Sequence, residues 1–136
     1  MLLGLAVFVG LISVYTKYEY TLVSELRERM EGADSIEGVA LGELLFQTRG
    51  CSGCHTLGKL GSATFGPDLT SIALTATASA IRASIIDPNA VIAENCPNGP
   101  CVANLMPAFG EFLDEREIEA LVIFLLAYRG QSSIDL

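Results

Sequence analysis

The stretch Cys51-Ser52-Gly53-Cys54-His55 constrains this chain more than any other. Two thiols three positions apart on a short turn, followed at once by a histidine, make the C-x-x-C-H pattern of covalent attachment of a c-type haem. Each thiol can form a thioether to a haem vinyl group. The imidazole is then held under the macrocycle, where it can ligate the iron. Ser52 and Gly53 are small, so the backbone can lie close to the porphyrin edge. A bare C-x-x-C also fits half a zinc site or a redox dithiol. His55 is the only histidine in the chain, so a zinc site would need Cys96 and Cys101, whose spacing permits it. A thioredoxin-like dithiol wants a βαβ setting, and none is visible nearby.

The residues downstream supply what such a motif needs. Gly58 to Thr70 reads as a loop, with three glycines and one proline. Within it, Gly66-Pro67-Asp68-Leu69 offers the carbonyl of Pro67 as an acceptor for the ring N–H of His55, which would fix the imidazole. Met106 precedes Pro107 in a loop and is the only methionine of the globular region, since Met1 and Met30 lie upstream. A thioether is a soft ligand for iron, and a Met/His pair marks high-potential cytochromes. Between these points Cys96-Pro97-Asn98-Gly99-Pro100-Cys101 is turn-prone and has no histidine after it, so it is not a second haem motif. A disulfide between Cys96 and Cys101 is the preferred reading, holding the segment before Met106 in shape.

Helical patterning frames the loops. Ile36 to Arg49 reads as the first helix of the domain, with Ser35 as N-cap and Gly42 implying a close helix crossing. Ser71 to Ile86 holds one or two short helices, stopped by Pro88. Asp114 and Glu117 open a last helix that runs to about Tyr128. From Ala120 to Tyr128 every residue is apolar, so one face should meet the core and the other a partner subunit or membrane surface.

The N-terminal part differs. Met1 to Tyr15 carries no charged side chain, and mean hydropathy over the chain is +0.47. Fifteen helical residues reach about 22 Å, short of a hydrocarbon core of about 30 Å. Tyr15, Lys17, Tyr18 and Tyr20 suit a membrane interface. A cleaved signal peptide is the rival, but no basic residue precedes the apolar run and no small-x-small site follows it. The expected layout is an anchor over 1–20, a helical stalk and linker over 21–35, a haem domain over 36–130 and a tail over 131–136. Orientation follows from the haem domain, which belongs on the periplasmic or extracytoplasmic side. A net charge of −8 disfavours nucleic acid as a partner.

In this order, C-x-x-C-H, G-P-x-L and M-P before a final helix, the chain resembles the class I monohaem cytochromes c over about residues 36–130. The resemblance implies an all-α fold wrapped around one covalent haem c, preceded here by the transmembrane and stalk helix. It implies Cys51 and Cys54 as thioether sites, His55 and Met106 as axial ligands, and the Pro67 carbonyl role. Gly42 and Phe46, with Leu125 and Tyr128, look like the family's helix-crossing positions. The implied function is one-electron transfer rather than enzymatic turnover. The anchor, the stalk and the Cys96/Cys101 loop suggest a subunit of a membrane redox assembly, similar to those of alternative complex III, terminal oxidases or photosynthetic reaction centres. Partners would be the other subunits, redox donor and acceptor proteins, and membrane lipid. The alternative is a haem enzyme or gas sensor with a displaceable Met106, although no second histidine exists to act as a distal base.

Overall fold

The computed structural model describes residues 12–21, 23, 35–62 and 65–128. Residues 12–21 are helical, with Val14, Tyr15, Tyr18 and Tyr20 exposed. Among the described residues no helix is long and apolar enough to cross a membrane. The expected anchor includes residues 1–11, which lie outside the described residues, as do most of the stalk and linker and all of the tail.

The domain begins with α1, Ser35–Thr48. Leu41 and Leu45, one turn apart, are fully buried, and Phe46 beside them is 1% exposed. Gly50, in the left-handed region at φ 87°, ends this segment and turns the chain into α2, Cys51–Cys54. A two-residue hairpin follows, β1 Thr56–Leu57 antiparallel to β2 Leu60–Gly61, with Leu57 opposite Leu60. The sequence reading had loop from Gly58 onward. The hairpin is closed by Gly58, whose φ of +59° suits the first central position of a two-residue turn. Strands this short carry no alternation to read. Two short helices come next, α3 Ile72–Thr75 and α4 Ala78–Ile86, the latter capped by the Thr77 side chain. After a long excursion, a 3₁₀ turn at Phe109–Glu111 leads to α5, Glu115–Ala127.

The start of α5 is built as its residues require. The Asp114 carboxylate accepts from the backbone N–H of Arg116 and Glu117, at 3.0 and 2.9 Å. The Glu117 side chain reaches back to the Asp114 N–H at 3.1 Å, closing a capping box. Glu117 is 2% exposed, a costly place for a carboxylate. Its second oxygen is met by the Arg49 guanidinium at 3.0 Å, so the buried charge is satisfied from both ends of the domain.

α1 and α5 pack along much of their length, with α3 and α4 also against α5. Gly42 sits at the crossing. A Cβ there would lie 2.1 Å from the Ala120 carbonyl oxygen and 2.4 Å from Phe124 Cβ. At Gly38, a Cβ would stand 3.1 Å from Ile123 Cδ1. The Phe46 ring meets Phe124, with centroids 5.9 Å apart, and Phe124 meets Tyr128 edge-on at 6.5 Å. The close crossing therefore exists, but Phe124 and Ala120 occupy it rather than Leu125, which faces a cavity. The apolar run of α5 is also corrected. Ala120 to Leu126 is buried or half-buried within the domain, and only Ala127 is exposed. The glycines of α1 bring one helix close enough to cover one flank, while α3 and α4 cover another. Ile123, Leu126 and Tyr128 are half-buried, so among the described residues of this run most of the apolar surface is covered by the domain itself.

Candidate functional site

The motif residues sit at the edge of a cavity of about 380 Å³, within the range of small-molecule and cofactor sites. Cys51, Cys54 and His55 line it, as do Pro67 and Met106. Among the described residues that line it there is no Asp, Glu, Lys or Arg. Phe65, Val91, Ile92, Val102 and Leu105 line it while remaining 43–69% exposed. Large apolar side chains turned to one cavity and left this open call for a large apolar occupant. A porphyrin attached at two thiols fits that requirement.

His55 is held from three sides. α2 ends as His55 turns extended, its N–H donating to the Cys51 carbonyl at 2.9 Å. The segment 66–70 is then stitched across 54–58. The Gly66 N–H donates to the Cys54 carbonyl at 3.0 Å, and the Leu69 N–H to the Thr56 carbonyl at 2.8 Å. The Gly58 N–H donates to Thr70 Oγ1 at 2.9 Å, while the Thr70 N–H donates to Asp68. These bonds place the Pro67 carbonyl 2.8 Å from His55 Nδ1. With Nδ1–H donated there, Nε2 carries the free lone pair that a metal ligand needs. His55 is 8% exposed, and burial holds its pKa below the usual histidine value, opposed by the Pro67 bond. The ring is therefore neutral at pH 7, the state that ligates.

Gly66 completes the seat. A Cβ on it would stand 2.4 Å from His55 Cε1 and 2.7 Å from Nδ1, so only glycine lets the backbone lie against the ring. Gly66→Ala is expected to push the ring off the Pro67 carbonyl and weaken the basicity of Nε2. In the loaded protein that should raise the reduction potential on the order of 50 mV, the size of a roughly tenfold change for a one-electron couple. Spectroelectrochemical titration checks it.

The alternative chemistries do not assemble. Cys96 and Cys101 are bonded to each other, with Cα atoms 5.1 Å apart, so they cannot complete a four-donor zinc site. Among the described residues no group of three or more His, Cys, Asp or Glu could hold a metal ion. Before any attachment, burial pushes the Cys51 thiol up to about 11. A redox dithiol wants a low-pKa thiolate, so this environment argues against that use.

Sequence reasoning missed three parts of the site. It did not see Gly66 as the floor under the ring, although the glycine directly precedes the proline it had singled out. It did not find the ion pair between Arg49 and Glu117, which ties the end of α1 just before the motif to α5. Nor did it find the bonded pair Asn89 and Asn104, fifteen residues apart, for which the sequence carries no local signal.

No curated protein and no solved structure gives a significant match to this chain. The family model described as Cytochrome c matches residues 39–128, about two thirds of the sequence, from within α1 to just past the end of α5. The match takes in both thiols, the seated imidazole and the charge-free cavity, and on it the chain belongs to the cytochrome c family, with one covalently bound haem c as its cofactor.

Proposed function

We propose that this chain is the membrane-anchored cytochrome subunit of a respiratory or photosynthetic redox complex, with its haem domain on the extracytoplasmic side. Electron transfer is the family's activity. The haem supplies a one-electron ferrous/ferric couple. The chain's residues hold it and set its energy. Cys51 and Cys54 would bind it covalently, His55 Nε2 and the Met106 thioether would ligate its iron, and the Pro67 carbonyl keeps the imidazole in the ligating tautomer. The wall without ionisable carboxylates or amines keeps water and counter-charge away, which favours the less charged, reduced state.

The observation that carries the relay reading is the convergence of His55 and Met106 on one apolar cavity. With both axial positions filled, no coordination site is open to substrate. That favours a relay over a haem enzyme or gas sensor. The reduced protein is therefore expected to refuse carbon monoxide at neutral pH; rapid binding would instead mean an open or displaceable position.

Anchoring and assembly rest on the uncharged stretch Met1 to Tyr15 and the tyrosines that follow it. The native protein should resist salt and alkaline washing of membranes and leave them only in detergent, together with other redox subunits. Release by salt alone would remove the anchor from this account.

A further inference from the structure

Between α4 and the 3₁₀ turn, the chain leaves the core at Asp87 and returns at Met106. Its neck is closed by two asparagines. Asn89 Oδ1 accepts from the backbone N–H of Asn104 at 2.8 Å, and Asn89 Nδ2 donates to Asn104 Oδ1 at 3.2 Å. Asn104 adopts φ +62°, a conformation asparagine tolerates better than most side chains. The Asn89 N–H in turn donates to Asp87 Oδ1 at 3.2 Å, and Asp87 is the C-cap of α4, whose Ile81 and Ile85 are buried in the core. Both asparagines line the cavity. At the tip of the excursion, Cys96 and Cys101 are bonded and Cys96 bridges Gly99, but these ties join the loop only to itself. On the other side of Met106, Gly110 lies against Ile86, where a Cβ would meet Cγ2 at 2.9 Å.

Met106 thus hangs between two pins, one at the last residue of α4 and one just beyond its C-cap. One is the Gly110–Ile86 contact. The other is the asparagine pair, two residues before it. We propose that Asn89 is a positioning residue for Met106, clamping Asn104 so that the thioether stays directed at the iron. This rests on the reading of Met106 as the axial ligand. Without the clamp the segment loses the nearer of these two pins, and the ligand-off state becomes easier to reach.

The test uses the full-length holoprotein in detergent. Ferric protein is titrated with imidazole, which competes with the thioether, and the far-red absorption band of sulfur-to-iron ligation is recorded alongside. Asn89→Ala is expected to bind imidazole about tenfold more tightly than wild type, from the loss of two hydrogen bonds, and to show a weaker band. Wild type must show the band and Met106→Ala must abolish it. If they do not, the ligand reading itself fails and takes the clamp with it. If they do, yet Asn89→Ala binds imidazole within twofold of wild type, the clamp alone is overturned. Should Asn89→Ala not fold, Asn104→Gly decides. It allows the left-handed backbone and keeps the bond from its N–H, losing only Oδ1, so roughly threefold tighter binding is expected and no change overturns the proposal.

Discussion

Replacing Met106 by alanine is expected to lower the reduction potential by a few hundred millivolts, on the order of a third of the roughly 0.8 V over which axial ligands set haem potentials. A thioether is soft and neutral, and stabilises ferrous iron relative to ferric. Alanine leaves that position to water, a harder ligand that favours the oxidised state. Met106 is half-buried on the cavity wall and has no other described structural tie, so the fold should survive the change. The variant should also gain carbon monoxide binding in the reduced form. A potential within a few tens of millivolts of wild type would show that the sixth ligand is something else. Potentiometry with a parallel carbon monoxide titration reads both effects.

The second large effect concerns the scaffold. Gly42→Ala should destabilise the protein by about 2 kcal/mol, the balance of an overpacking cost of up to about 3 and a gain of about 1 in helix propensity. The clash is with the Ala120 carbonyl oxygen and Phe124 Cβ, neither of which can swing aside. The helices must part, and Phe46 and Phe124 lose their contact with them. For a domain of this size the midpoint of thermal unfolding should fall by roughly 10 °C, measured by circular dichroism on the holoprotein. An unchanged midpoint would mean that α1 and α5 do not cross as closely as described.

Much of this was legible in the sequence, and for physical reasons. C-x-x-C-H is chemistry written at fixed spacing, so it needs no tertiary information. Gly42 was legible because a glycine inside a helix is costly unless something lies against it. Asp114 and Glu117 announced their capping box because that interaction is local. The hairpin at Leu57 and Leu60 was not legible, since it is stitched by bonds to Leu69 and Thr70. Neither was the choice of Phe124 over Leu125 at the crossing, which depends on how α5 is rotated about its axis. The identity of the group that covers α5 was also lost, because an apolar run says only that a helix is covered. The Asn89–Asn104 pair joins residues far apart along the chain, and no local pattern marks it.

The contact between α1 and α5 joins the two ends of the domain, so it can form only after nearly everything between them has been made. The attachment cysteines emerge early, directly after α1, while Phe124 and the carboxylate that meets Arg49 come last. A nascent chain therefore displays its thiols for a long interval before the final helix can close over the interior. Such long-range closure is slow, and it leaves apolar segments uncovered meanwhile. Truncation even a few residues before Tyr128 should yield a polypeptide that can still be haemylated but cannot shut.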